Sequence, residues 1–537
     1  MRQLRGLYRL AQPRGEILVK ADLLIHGGAI LAPVNQLPLL QTGKARGGLA
    51  QHEALATANG RILAVGKLAD LEALISPNTK RFNLEGRTLL PGFNDAHVHV
   101  WKVGQLRTTM LDLRGVTSLT ELYAKVSERA KALNPGEWLW GRGWNEAKLA
   151  EQTMPSKQAL DQASPQNPVL LTRTCAHIHA VNSRALQIAK VDRHTHVPGG
   201  EIDFDKGILF ETAYGLVFNA MPAPTQADYQ RWILAGLAYL KSLGITSATD
   251  PAVDPALYAA YRSLDKAGRL PIRVNLLYIR RPDGGTKTFP LPEKYRSDFL
   301  RCDSVKFFSD GGLSGATAAI SQNYRNTEGP SRGVLRFETE ELYQLALEAH
   351  SNGFRIGTHS IGDRALDQVL SVYQRLYQTK PSTIRHRIEH FGLPGENHLA
   401  LMKQMNTVAV PQPIFLHELR ENFRRYLPED FICRCYNLKA LFDAGLTVAF
   451  SSDGPVVHEV SPVEGIKAAI NEPMCKGNGV SLDQALWAYT QGGAIAQGDQ
   501  GNRGSIAPGR WADFTILNGF FEDLDSVSIY QTLVAGA

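Results

Sequence analysis

Eight short, mostly apolar runs, each ending in polar residues and separated from the next by a helical pattern, constrain this 537-residue chain more than any other feature. They are Leu89–His99, Gly244–Asp250, Arg273–Ile279, Ser304–Phe308, Phe354–His359, His386–His390, Thr407–Pro411 and Thr447–Asp453. The helical stretches carry their own punctuation. Ser118-Leu-Thr-Glu121, Ser461-Pro-Val-Glu464 and Ser481-Leu-Asp-Gln484 read as capping boxes, and Gly244, Gly268 and Gly353 close helices that begin near Thr225, Asp254 and Thr339. Strands of this kind pair in parallel, because a parallel neighbour requires a crossover and the crossover helix covers a face of the sheet. The pattern therefore predicts an α/β fold, a (β/α)8 TIM-like barrel over residues 89–503, with its chemistry at the C-terminal ends of the strands.

The flanks read differently. Ala21–His26, Ala54–Ala58 and Arg61–Gly66 look like short strands, the last two joined by the hairpin dipeptide Asn59-Gly60. Their partners are expected at the far end, in Gly504–Leu517 and Ser528–Val534. Residues 18–88 and 504–537 are thus expected to form one composite β-sandwich domain. Residues 115–225 exceed a standard crossover and are expected to form a cap, and the loops Arg280–Asp298 and Gly311–Arg336 could act as lids.

Composition narrows the partners. A net charge of +6 without a dense basic run, short clusters such as Arg420–Arg425 apart, suits a solvated surface better than nucleic-acid binding. No apolar run is long enough for a bilayer, and the basic N-terminus lacks the apolar segment and cleavage site of a secretory signal. Five scattered cysteines suit a reducing compartment, and Cys433-Arg-Cys435 has the wrong gap for a redox or zinc motif. A cytoplasmic protein with a small-molecule substrate, no membrane and no nucleic acid is expected, with a homodimer as the commonest assembly.

Six residues at the strand ends carry the chemistry: His97, His99, Lys306, His359, His390 and Asp453. On a strand His97 and His99 share a face, and the mouth of a barrel gathers strand ends distant in sequence. Imidazoles and a carboxylate so gathered are competent ligands for Zn²⁺ or a similar divalent ion. Taken singly, each has a structural alternative: strand histidines for the pair, an Asx turn for Asp453, and pairing with Asp310 for Lys306. An amine buried beside Val305 and Phe307-Phe308 is driven towards its neutral form, which reacts with carbon dioxide to give a carbamate, an anionic bidentate ligand.

Pro91-Gly-Phe-Asn-Asp-Ala-His-Val-His99, Val305–Gly312, Thr358–Ala365, Arg387-Ile-Glu-His390 and Ser451-Ser-Asp-Gly-Pro455 together resemble the signature blocks of the amidohydrolase superfamily. More closely they resemble its amidohydrolase-3 branch, which includes N-substituted formamide deformylase. The resemblance implies that His97, His99 and Asp453 hold a more buried metal, that His359 and His390 hold a more exposed one, and that carboxylated Lys306 bridges them. It further implies hydrolysis of a non-peptide amide or formamide, with a shared hydroxide as nucleophile and Asp453 transferring the proton to the leaving amine. His177 is expected to contact the substrate carbonyl, with His179 as its competitor, and Trp144 is a second substrate-contact candidate. An esterase or lactonase with the same two metals stays open. A one-metal deaminase is disfavoured because His359-Ser-Ile-Gly-Asp363 lacks the usual Glu, a silent binding protein because no ligand position is empty, and a serine hydrolase because no Gly-x-Ser-x-Gly elbow occurs.

Overall fold

The computed structural model describes residues 19–33, 49–174, 178–197, 200–211, 213–283, 285, 287–327, 329–520, 523 and 525–537. The chain divides into two compact units, residues 1–100 with 237–537, and residues 101–236.

In the first unit, eight strands pair in parallel in sequence order: β1 (Phe93–Asp95), β2 (Ile245–Val253), β3 (Arg273–Ile279), β4 (Leu300–Phe308), β5 (Arg355–Ser360), β6 (Arg387–His390), β7 (Val408–Val410) and β8 (Thr447–Val448). The sheet curls until its two edges meet. The Ala96 N–H donates to the Phe450 carbonyl at 3.2 Å, and the Asp453 N–H donates to that of His97 at 2.8 Å. Each of the eight expected runs supplies one strand, in the expected order. The helix stops at Gly244, Gly268 and Gly353 are real, since all three adopt the positive φ that favours glycine. Ser481 and Gln484 close a full capping box, whereas Ser461 makes no side-chain cap bond.

The first run breaks in two. Thr88–Pro91 joins the terminal sheet and only Phe93–Asp95 joins the curled one. Gly92 permits the passage, because a Cβ there would lie 2.1 Å from the Thr246 hydroxyl oxygen. His97 and His99 therefore follow the strand instead of lying in it. Their shared orientation survives because the backbone continues to bond sideways, Val98 N–H to the Thr249 carbonyl at 3.0 Å and His99 N–H to that of Gly454 at 2.9 Å.

Strands from both chain ends meet as expected, Phe514–Asn518 running antiparallel to Thr88–Pro91. They are linked in a single seven-stranded sheet, where two packed sheets were anticipated. Ile25, Leu55, Leu89, Phe514 and Ile516, all fully buried, form its core. Arg273 of β3 anchors the sheet by a buried pair with Asp513 at 2.7 Å.

The second unit holds a six-stranded sheet and starts and ends about a dozen residues outside the expected 115–225 cap. The cysteine reading requires a correction. Cys433, in the β7–β8 connection, forms a disulfide with Cys475, 42 residues on, and their Cα atoms are 5.2 Å apart. Its partner lies beyond β8, so local spacing could not reveal the pair. Among the described residues no helix is long and apolar enough to cross a membrane.

Candidate metal centre

The centre is built on the segment after β1. Buried Asp95 accepts from the His97 N–H at 3.0 Å and from the Ser452 hydroxyl at 2.6 Å, tying the ends of β1 and β8 together. Burial pushes its carboxyl up to about 7. Glu389, fully buried on β6, lies 2.6 Å from His97 Nδ1 and also accepts a two-pronged contact from Arg387 at 2.5 and 2.8 Å. Burial alone would raise the Glu389 carboxyl, but the Arg387 charge and the His97 bond hold it well below the ordinary carboxylate range. An ionised Glu389 makes His97 Nδ1 the donor and leaves the lone pair on Nε2.

That Nε2 lies 3.5 Å from Asp453 Oδ1, and His99 Nε2 lies 3.4 Å from the same oxygen. One atom from each of the three residues falls within 4.8 Å of the other two, a grouping that could hold a metal ion. Burial opposes ionisation of Asp453. The His99 bond and the neighbouring imidazoles outweigh it and keep the carboxyl well below its usual value.

His359 and His390 close the ring. The imidazole centroids of His97 and His390 are 4.9 Å apart, and those of His390 and His359 are 4.4 Å apart. Gln412 donates its amide to the Val410 carbonyl and the Ser451 hydroxyl, both at 3.0 Å, so its oxygen faces His390 Nδ1 at 2.9 Å. His390 Nε2 is thereby the ring nitrogen that keeps its lone pair. His359 Nε2 donates to the Gly311 carbonyl at 3.0 Å, which leaves Nδ1.

Strand alternation explains part of this placement and fails at one point. Arg387 and Glu389 share the inner face of β6, while His386 points to the helices and bonds His350 at 2.9 Å. Alternation would send His390 outward after His386. Its φ of +73° breaks the pattern and returns the ring to the mouth, and Asp453, with φ +57°, turns likewise.

Lys306 is fully buried, and its Nζ has no hydrogen-bond partner among the described residues. It lies 4.7 Å from the Phe308 ring centroid. Burial lowers its ammonium from 10.5 to about 8, although Glu389 and Asp453 pull the other way. The expected alternative partner, Asp310, is engaged by the Ala319, Ile361 and Gly362 amides at 2.8–3.1 Å. A buried amine without a partner, facing carboxylates and imidazoles with convergent lone pairs, fits a cation site.

Two substrate-contact candidates belong to the second unit. Trp144 is fully buried in the core of the second unit, its indole N–H donating to the Leu171 carbonyl at 3.1 Å, so it offers no surface to a ligand. His179 stacks on Tyr214 at 4.1 Å and bonds Thr172. His177 lies outside the described residues. Sequence reasoning passed over Glu389, Arg387 and Gln412. Opposite charges two residues apart in a short strand were the available signal, since a strand buried on both faces tolerates them only as a pair.

The amidohydrolase family model matches residues 80–536. YtcJ of Bacillus subtilis (strain 168), a protein named as an amidohydrolase, is 30% identical over 491 residues, covering 87% of this chain and 91% of its own. The N-substituted formamide deformylase of Arthrobacter pascens is 26% identical over 511 residues, covering 89% and 92%. An uncharacterized metal-dependent hydrolase from Pyrococcus horikoshii OT3 shares the fold with a TM-score of 0.77 at 24% identity, covering 93% of this chain and 97% of that one. The chain accordingly belongs to the amidohydrolase family and is a hydrolase of that family.

Proposed function

We propose that this protein hydrolyses a non-peptide amide or formamide at a divalent-cation centre in the mouth of its curled sheet, read as a closed (β/α)8 barrel. The observation that carries the proposal is the convergence of His97, His99 and Asp453, whose ligating atoms lie within 4.8 Å of one another. These three would hold a first cation of the zinc class, and His359 with His390 would take a second. The partnerless Lys306 amine supports a bridging role: addition of its neutral form to carbon dioxide gives a carbamate and one proton, and turns an orphaned buried amine into an anionic ligand.

A divalent ion bound there supplies Lewis acidity, acidifying water and polarising the substrate carbonyl. The protein's part is proton transfer and order. Asp453, held ionised, accepts a proton as water adds to the carbonyl carbon and returns it to the nitrogen as the C–N bond breaks. Glu389 and Gln412 keep the His97 and His390 rings turned so that Nε2 faces the mouth.

The test combines metal analysis of purified protein with a panel of N-formyl, N-acyl and cyclic amides. Asp453→Asn is expected to lose amide turnover, and equal turnover in both proteins would overturn its assignment. Lys306→Ala is expected to lose metal and activity, with partial rescue by a short carboxylic acid. Unchanged metal content would remove Lys306 from the centre.

A further inference from the structure

At the end of the curled sheet away from the metal centre, where β3 and β4 begin, lies a cavity of about 240 Å³. It is small beside the roughly 300–1,000 Å³ of drug-sized pockets. β4 starts at this end with Leu300 and reaches Lys306 at a rise of about 3.3 Å per residue, so the two places lie roughly 20 Å apart. The charged lining is Arg61 of the terminal sheet with Arg296, Asp298, Arg301, Asp499 and Arg503, all within the first unit.

Four guanidiniums thus line the cavity with two carboxylates, and two of the four are already satisfied. Arg301 pairs with Asp303, on its own face of β4, and donates to the Gly498 carbonyl at 3.0 Å. Arg503 pairs with Asp499 through two nitrogens and donates to the Ser247 hydroxyl at 2.6 Å. Asp499, its side chain 6% exposed, also accepts from the Asn502 amide at 2.6 Å. Arg296 is left with one contact to this crowded carboxylate, at 3.3 Å, and its side chain is 61% exposed. Arg61 has no carboxylate partner among the described residues. It donates to the Gly509 carbonyl at 2.8 Å and lies 3.6 Å over the Trp511 ring. Arg273 approaches the same ring at 4.0 Å, but Asp513 neutralises it, so the unmatched charge is that of Arg61. The crowding of cations extends inward. Burial, with Arg301 and Arg387 adding to it and Asp303 opposing, pushes the Arg355 guanidinium at the start of β5 down to about 10.

Arg61 and Arg296 therefore bring donors to one small cavity without carboxylates to saturate them. A guanidinium fork matches the oxygens of a phosphate, and two under-matched cations call for a dianion. Asp298, which makes no ion pair among the described residues, repels any larger negative charge and limits the ligand to a single phosphate group. We infer that this cavity binds a small phosphate dianion, as the free ion or as the phosphate group of a small monoester, and that the anion fastens the terminal sheet to the starts of β3 and β4. The inference does not depend on which bond the metal centre hydrolyses.

The full-length protein is to be titrated calorimetrically with inorganic phosphate, glycerol 3-phosphate and acetate, at constant ionic strength and a pH where phosphate is a dianion. One saturable phosphate site per chain is expected, at least about tenfold tighter than acetate, with a rise in thermal midpoint that chloride does not give. Tighter binding of glycerol 3-phosphate than of phosphate assigns the site to monoesters, and the reverse order assigns it to the free ion. Arg296→Gln, at an exposed position, and Arg61→Gln are each expected to weaken the affinity about tenfold. Asp298→Asn is expected to strengthen it several-fold, a gain that a misfolded variant does not give. Absence of saturable binding in the parent, or equal affinity in the parent and both arginine variants, overturns the site. An Asp298→Asn protein that binds no tighter than the parent overturns it as well. So does phosphate binding that a chelator abolishes and Arg61→Gln leaves intact, because that anion sits on the metal.

Discussion

Replacing Glu389 by Gln tests how the centre is held in register. Glutamine keeps the volume and an acceptor for His97 Nδ1, but removes the charge that both His97 and Arg387 use. At His97 a charge-assisted bond becomes an ordinary one, a loss of about 1 kcal/mol. Arg387 suffers more. It stays fully buried, with the Ala96 carbonyl at 2.5 Å still accepting from it and no counter-ion, and breaking such a pair costs about 3–5 kcal/mol. Loss of the group that orients a ligating histidine also weakens metal binding by about 10- to 100-fold. Unfolding in urea with a chelator present reads the first effect, and zinc competition against a chromophoric chelator reads the second. The pH dependence follows from the sign of the shift. Because the Glu389 carboxyl is held below its ordinary value, its contribution is complete above about pH 4.3 and disappears as pH falls through the lower folded value. The difference between wild type and variant should therefore narrow in acid. A variant with wild-type zinc affinity and an unfolding free energy within about 0.5 kcal/mol of the parent would refute the reasoning.

Two further outcomes are expected. In metal-free protein the Lys306 amine ionises near 8 when folded and near 10.5 when unfolded, so its penalty is complete below about pH 8 and is relieved as pH rises to 10.5. The unfolding free energy from urea titrations should rise by on the order of 3 kcal/mol over that window, a rise absent in Lys306→Met; a parallel rise in the variant would assign it to other groups. Cys475→Ser opens a loop closed across 42 residues and should lower stability by up to about 4 kcal/mol, read by thermal or denaturant unfolding; reductant should leave the variant unchanged while destabilising the parent.

What the sequence by itself determined is the order of the strands and the candidate residues at their ends. Local signals suffice for this: apolar runs of strand length, capping residues, and histidines or acids where each run turns polar. Those signals located His97, His99, Lys306, His359, His390 and Asp453. Only the tertiary structure decided which atoms face one another. The inward turn of His390 depends on a left-handed φ that no pattern encodes. The tautomer of His97 depends on Glu389, 292 residues away. The same limit hid the Cys433–Cys475 bond and made Trp144 a core residue. Periodicity reports which face of its own element a side chain takes, whereas partners across a curled sheet are set by closure of the whole chain, which no local spacing records.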